Sequence, residues 1–427
     1  MPKQLNGTEV IMKKLLILSL PFAKGLDAWL SGKNPTGTAS IFYLVDKCAQ
    51  KGVHVHWLML DWTGRLPEGK ATHKRGSVTI ECVLKPSGKF AKYLDDTERG
   101  RCHRFLKLFD IVPLYNRTFS VSREFEPEAI YSVGIYGVLG VLIAKRIGVP
   151  SVTRMLGVFL TRYLGCWWRP LKTWNEILTL MFKPDLLIIT NDGTGGDKVA
   201  NHFSIPEEKF WFPVNGVNKN QLKRNIDTDE VYKRYGIPLG SPVIISIGRL
   251  VAWKRMDCLI QGFSIAVKEL KPQPHLIILG EGPDRKLLEE QVRSLGLSQS
   301  VSLLGNVAKI EVYDLLKIAN VAVFTYEHSN VGSALLETLQ SGKPVITLAN
   351  GDTEKFVIHG ETGILLDANP SSQELSEAII EVLRNKELEI RLGSGAAKWA
   401  DEHIKTWDER MDDEYNHLER LVTNTSY

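Results

Sequence analysis

The residues whose types could do chemistry gather in the second half of the chain. Arg249 and Lys254 stand five positions apart in SIGRLVAWKRMDCLIQGF. Arg249 directly follows a run that reads as a buried strand, and Lys254 precedes a helix. Both head groups therefore belong at the carboxyl edge of a parallel sheet, where ligands of such sheets bind. A guanidinium fork beside an ammonium suits a diphosphate; the plainer alternative is a pair of surface cations. Further on, VAVFTYEHSNVGSALLETLQSGKPVITLANGDTEKFVIHGETGILLD reads strand, loop, helix, strand, loop, strand. The turn Gly332-Ser333-Ala334 opens the helix and leaves first-turn N–H groups without intrahelical partners, which makes an anion site. Glu337 lies one turn further in, within reach of a sugar hydroxyl beside a phosphate held at the turn. An ordinary βαβ unit with a surface glutamate reads the same way in isolation. Only the addition of the upstream cations favours a ligand.

The elements that must position these residues alternate regularly. From residue 230 onward the order is helix EVYKRYGI, strand SPVIISIGRL, helix MDCLIQGFSIAVKEL, strand PHLIILGEGP, helix DRKLLEEQVRSLG, strand SVSLLGNV, helix IEVYDLLKIA, strand VAVFTY. Such alternation predicts a parallel sheet with helices on both faces. Gly248-Arg249, Gly280-Glu281-Gly282, Gly305-Asn306 and the run His328 to Ser333 all fall after strands. The loops after those strands converge on one edge.

The first half opens in the same style. Lys13 to Phe22 reads as a strand, AKGLDAWLSGKNPTGTA as a long loop, SIFYLVDKCAQKG as a helix and VHVHWLML as a strand. Gly37 and Thr38 fall where that helix begins, and a small residue there lets a ligand approach the backbone. The loop is not GxGxxG, so a dinucleotide fingerprint is not supported. Residues 68–125 show little beyond positive charge, although ERGRCHRFLKLFDIV has helical spacing. AIYSVGIYG, VPSVTRMLG and KPDLLIITND read as further strands, with VLGVLIAKRIG as a helix that stops at Gly148. The stretch from Val158 to Phe182 carries Trp167, Trp168 and Trp174 among Arg162, Arg169 and Lys172. It suits a membrane interface or a bulky acceptor, or else a half-buried connecting helix. Asn215-Gly216 reads as a sharp turn near a domain boundary.

The chain has 427 residues, 44% hydrophobic and 24% charged, enough for two or three globular domains. Five cysteines, odd in number and without CxxC spacing, argue against a zinc site or a disulfide framework and fit a reducing compartment. The polar start MPKQLNGTEV and the short apolar run after it do not read as a signal peptide, and no run is long enough to span a bilayer. Charge is uneven: residues 1–218 hold 29 Lys and Arg against 19 Asp and Glu, residues 219–427 hold 24 against 30. The basic half suits an anionic partner, a membrane surface or an acidic acceptor; a solvated basic face is the alternative. A nucleic-acid partner is disfavoured, since the charge is moderate and no recognised motif is present.

Taken in order and spacing, GRLVAWKRMDCLIQGF, LILGEGPDRKLLEEQVRSLGLSQSVSLLGNV, SALLETLQSGKPVIT and HGETGILLD resemble the GT-B glycosyltransferases of family four. The likeness covers most of residues 240–400 and is looser upstream. It implies an α/β chain of two Rossmann-like doubly wound parallel-sheet domains facing across a cleft. Residues 1–218 would hold the acceptor, 219–400 the donor, and 401–427 a C-terminal helix returning to the first domain. It implies transfer of a sugar, with retention and without a metal or other cofactor, from a nucleotide-diphospho-sugar to a glycan or lipid-linked acceptor. Arg249 and Lys254 match the pair that contacts the diphosphate, and Gly332, Ser333 and Ala334 match the phosphate turn. Glu337 matches the glutamate that bonds the ribose, Asn306 and Val307 lie where the base is read by main chain, and Gly37 falls near the first-domain glycine loop. Two positions depart from the pattern. Ser329 stands where the family has a glutamate touching the donor sugar. Leu156 stands where it often has a histidine, which leaves Arg154 as the nearest polar candidate for phosphate or acceptor. A nucleotide-sugar-binding protein without transferase activity, or an epimerase or phosphorylase on the same scaffold, are the alternatives. A cytoplasmic placement follows, with peripheral attachment to the inner face of a membrane left open by the basic first half.

Overall fold

The computed structural model describes residues 12–20, 23–32, 40–61, 72–84, 111–165, 173–222 and 224–425. Gly37, Trp167, Trp168, Arg169, Lys172 and most of the basic stretch below residue 111 lie outside the described residues. The chain divides into two units. The first comprises residues 1–190, 197–213 and 411–427; the second comprises 191–196 and 214–410.

The first unit is built on strand β1 (Lys14–Ser19), helices α1 (Ala23–Leu30) and α2 (Ser40–Gln50), and strands β2 (His54–Asp61), β3 (Thr72–Arg75) and β4 (Val78–Leu84). There follow α3 (Ile111–Phe125), β5 (Ala129–Val133), α4 (Gly137–Ile147), β6 (Ser151–Met155), α5 (Trp174–Met181), β7 (Leu186–Ile189), α6 (Gly196–His202) and β8 (Phe210–Trp211). Its eight strands run in the order β3-β4-β2-β1-β5-β6-β7-β8, parallel throughout except for the β3–β4 hairpin. β5, β6 and β7 are buried along their whole length, as central strands covered on both faces must be. One expectation changes here. The segment after β1 is not all loop, because Ala23–Leu30 is helical and seats Leu26 and Trp29 in the core. The helix expected for ERGRCHRFLKLFDIV lies almost wholly outside the described residues; within them Ile111–Phe125 is helical.

The second unit contains α7 (Lys219–Leu222), α8 (Thr228–Arg234), β9 (Val243–Ile247), α9 (Met256–Glu269), β10 (His275–Leu279), α10 (Arg285–Ser294), β11 (Val301–Gly305), α11 (Lys309–Ile318) and β12 (Val321–Phe324). It continues with α12 (Ser333–Gln340), β13 (Val345–Leu348), β14 (Gly363–Leu366), α13 (Ser372–Arg384) and α14 (Lys386–His403). A last helix, α15 (Trp407–Thr425), begins in this unit and passes into the first. The six strands are all parallel, in the order β11-β10-β9-β12-β13-β14. That is the doubly wound order with its reversal between β9 and β12, and a crevice opens beyond the carboxyl ends at such a reversal. The core beneath it is aliphatic: Val243, Ile244, Ile245, Val321, Ala322 and Val323 are fully buried.

Gly216 is not the turn that its Asn-Gly pairing suggests. Val217 bridges Thr406 in an extended run, and a Cβ at Gly216 would stand 2.7 Å from the backbone of Trp407. The glycine is there for close approach of two chain segments.

Candidate functional site

At the edge of the second sheet three loops are fastened to one another by main chain. The Gly248 N–H donates to Leu279 O at 2.9 Å, the Gly280 N–H to Gly305 O at 2.8 Å, and the Leu250 N–H to Glu281 O at 3.0 Å. The backbones approach so closely that a Cβ on Gly280 would lie 2.0 Å from Gly248 O, and one on Gly282 2.0 Å from Leu250 O. The Gly-Glu-Gly run after β10 is therefore a seam that sets the loop carrying Arg249. Arg249 itself is exposed, and its guanidinium makes no hydrogen bond or ion pair among the described residues.

Lys254 closes the short 3-10 turn Ala252–Lys254 after β9 and reaches across the reversal to the loop after β12. Its Nζ donates to Ser329 O at 2.6 Å and to His328 O at 3.4 Å, and lies 3.8 Å from the centre of the Tyr326 ring. The Glu327 N–H donates back to Trp253 O at 2.9 Å, and the Thr325 hydroxyl donates to Lys254 O and Arg255 O. Burial lowers the Lys254 ammonium to about 8, against the opposing pull of the Asp192 carboxylate. Arg255 and Ser329 both take left-handed backbone conformations, φ 49° and 53°. Non-glycine residues rarely sit there, and such strain gathers where the surroundings over-determine a loop for a task.

Next along the chain, Gly332 caps α12 with φ −90° and ψ 173°, and no side chain caps the helix. The Val331 N–H is taken by Asp192 O, while the Leu335 and Leu336 N–H groups turn back to Gly332 O. Among the described residues the amides of Gly332, Ser333 and Ala334 have no backbone partner, and a Cβ on Gly332 would meet nothing within 4 Å. Open donors at the positive end of a helix, with space in front of them, are what an anion requires.

Glu337 lies one turn into α12 and is 2% exposed. Its carboxylate is not open to solvent: Lys309 Nζ donates to it at 2.6 Å from the start of α11. Burial raises the carboxyl above its ordinary range, and the Lys309 charge acts the other way. The same ion pair ties Glu337 to the β11–α11 loop, in which Asn306 is exposed and Val307 half-buried.

The structure thus brings Lys254, Ser329 and the Gly332 turn into one loop cluster, and Glu337 beside the Asn306-Val307 loop through Lys309. Arg154 is placed elsewhere. It was expected to reach phosphate or acceptor, but it points into the core of the first unit, 1% exposed, with Nη1 at 3.1 Å from the Glu414 carboxylate. Tyr131 donates to the same carboxylate. A guanidinium committed to an inward carboxylate is a structural counter-ion, and that assignment is corrected. Asp192, Lys309, Tyr326 and Asn330 were missed. Asp192 stood at the end of the run KPDLLIITND, which reads as a strand, far along the chain from its partners.

The model for "Glycosyl transferases group 1" matches residues 227–399. The chain carries a glycosyl transferases group 1 domain. That domain spans almost all of the second unit and every residue of the β9–β12 edge. Mannosylfructose-phosphate synthase of Agrobacterium fabrum is 26% identical over 208 residues, 47% of this chain and 43% of that protein. N-acetyl-alpha-D-glucosaminyl L-malate synthase of Bacillus anthracis is 26% identical over 180 residues, 42% of this chain and 46% of that protein. The matched region spans less than half the length of these two relatives. In solved structures the likeness reaches further. Sucrose-phosphate synthase of Thermosynechococcus elongatus superposes with TM-score 0.72 at 15% identity over 96% of this chain and 99% of that one. Anabaena HepE in complex with UDP-glucose superposes with TM-score 0.68 at 19% identity over 94% and 99%. The group 1 domain and its partner unit together have the GT-B fold. Among the described residues no helix is long and apolar enough to cross a membrane.

Proposed function

We propose that this protein is a glycosyltransferase that takes a sugar from a nucleotide-diphospho-sugar and passes it, with retention and without a metal, to a glycan or lipid-linked acceptor. One observation carries the reading. At the reversal of the second sheet, the Lys254 ammonium and the open first-turn amides of α12 belong to two loops that are hydrogen-bonded to each other. A leaving diphosphate would gain charge as the glycosidic bond breaks. Groups already oriented toward it stabilise that charge without further reorganisation. In this reading Lys254 and Arg249 neutralise the leaving group, the Gly332-Ser333-Ala334 amides hold its distal phosphate, and Glu337 receives the ribose hydroxyls beside Lys309. Asn306 and Val307 border the base. The acceptor hydroxyl attacks from the face that the diphosphate leaves, and a departing phosphate oxygen takes its proton.

The names of the relatives support a sugar-transfer chemistry, and the HepE complex supports a nucleotide-sugar donor. The test is a thermal-shift panel of UDP-, GDP- and ADP-sugars, followed by incubation of the stabilising donor with and without candidate acceptors. One donor should raise the melting temperature, because a ligand bound only to the native state stabilises it. Product should form only when an acceptor is present. No stabilisation by any member of the panel would refute the donor site. Turnover of donor alone to an isomer would replace transfer with epimerisation.

A further inference from the structure

We propose that Asp192 is a positioning residue of the donor site, holding the 328–331 loop and, through Ser329, the Lys254 ammonium in place where the diphosphate is to be gripped. The inference rests on the donor-site reading above and adds a residue from outside the group 1 domain's matched range.

Asp192 lies in the segment 191–196, which follows β7 in the chain yet belongs with the second unit. Its side chain and its main chain both engage the loop after β12. Ser329 Oγ donates to Asp192 Oδ2 at 2.8 Å, and the Val331 N–H donates to Asp192 O at 2.9 Å. The other carboxylate oxygen accepts from the Thr194 hydroxyl at 2.6 Å and the Thr194 N–H at 3.2 Å. Gly193, at φ 83°, lets Asn330 press against the segment; a Cβ there would lie 1.8 Å from Asn330 Oδ1. Asn330 is buried and also bonds Asn350. These contacts make a built joint rather than a grazing approach.

The joint bears on Lys254 in two ways. Asp192 and Lys254 hold the same residue, one by the Ser329 hydroxyl and the other by the Ser329 carbonyl. Asp192 also supplies the negative charge that opposes the loss of the Lys254 proton on burial. Among the described residues, Asp192 is the charge that acts on Lys254 in this direction. Arg255 and Glu327 pair with each other at 2.6 Å on the more exposed side. Tyr326 offers its ring face, and His328 offers its carbonyl. Three donors on the Asp192 carboxylate favour its ionised form against the burial that raises its pKa.

The sign of the effect separates this role from a structural one. Removing the Asp192 charge makes it easier for Lys254 to lose its proton. It also removes a negative charge from the neighbourhood of the diphosphate. Asp192→Asn should therefore bind UDP as tightly as wild type, or more tightly, near about pH 6.5, where Lys254 is charged in both proteins. Near about pH 8.5 it should bind roughly tenfold more weakly relative to wild type, because more of its Lys254 is neutral. A merely structural role would weaken binding alike at both pH values.

Two measurements decide it, on full-length protein whose folding is checked by circular dichroism. Calorimetric titration with UDP and with GDP is made at both pH values. Competitive acetylation across the same pH range, read on the Lys254 peptide by mass spectrometry, reports the ammonium directly and needs no nucleotide. The acetylation midpoint should fall by about one pH unit or more in Asp192→Asn and stay near the wild-type value in Asp192→Glu. Wild-type protein that binds neither nucleotide would bring down the donor reading and Asp192's part in it. An unmoved midpoint, or equal weakening at both pH values, beside intact wild-type UDP binding would overturn the Asp192 assignment alone.

Discussion

Lys254 is the residue on which the proposed donor edge depends. Its ammonium is partly withdrawn from water and fastened to the carbonyls of the opposite loop. Those two bonds hold the head group in place and leave its third N–H for a phosphate, so the side chain need not move when one arrives. Lys254→Ala should lower turnover of the accepted donor by roughly 100-fold or more, as losing one preorganised charge-stabilising donor does elsewhere. Steady-state kinetics of sugar transfer would show it, and a variant with wild-type kcat would remove Lys254 from the site. The lowered ammonium pKa, about 8, adds a pH signature. In the free protein Lys254 is charged below that pH and increasingly neutral above it. A diphosphate stabilises the charged form, so affinity for UDP should fall as pH rises past about 8. Binding on the alkaline side should take up protons. Calorimetry in buffers of different ionisation enthalpy measures that uptake, and its absence would contradict the assignment. Glu337 was singled out from sequence as a candidate ribose contact; its cover by Lys309 was not legible, because an ion pair between two helices leaves no mark at fixed spacing.

Among the elements, β9 and β12 do the positioning, since their loops emerge side by side at the reversal. The alternation of strands and helices in the second half was legible because parallel strands buried on both faces read as short aliphatic runs, and glycines mark their ends. Ala23–Leu30 was not legible, because its Gly25 and short length look like loop. The glycines at the edge divide into two kinds with opposite expected behaviour. Gly280 is pressed against Gly248 O, so Gly280→Ala forces backbone apart and should cost about 3 kcal/mol or more of stability. Gly332 faces open space with an ordinary φ, so Gly332→Ala should change stability by no more than about 1 kcal/mol, the usual size of a helix-cap effect. The Gly332→Ala methyl would nonetheless occupy the space in front of the free amides, and UDP affinity should fall. Urea denaturation and UDP titration of the two variants test the division. Equal loss of stability in both would mean that the Gly332 turn is packing rather than a site.

Over the whole molecule, the sequence showed two α/β halves, yet the partners that join distant segments were hidden. Asp192 with Ser329, and Arg154 with Glu414, are separated by 137 and 260 positions. No periodicity reports such pairs; only the closed sheet brings them together. Arg154 illustrates the cost of reading a lone cation at a strand end as a ligand group. Its side chain sits on β6, beside Tyr131 on β5, and both turn toward Glu414 of α15. Glu414 is fully buried, so the pair is strong evidence of constraint but not of net stabilisation, since desolvation offsets much of the attraction. The asymmetry appears on breaking it. Glu414→Ala leaves the Arg154 charge buried without its counter-ion and the Tyr131 hydroxyl without its acceptor. Stability of the first unit should fall by about 3–5 kcal/mol. Arg154→Met combined with Glu414→Gln removes the charge, keeps an acceptor for Tyr131, and should recover most of the loss. If the two act as an internal pair, the double variant is more stable than Glu414→Ala alone and still binds UDP like wild type, because neither residue lies at the donor edge. Urea unfolding with UDP titration of the refolded protein distinguishes the cases: a double variant that folds well but no longer transfers sugar to any acceptor would return Arg154 to the acceptor side of the chemistry.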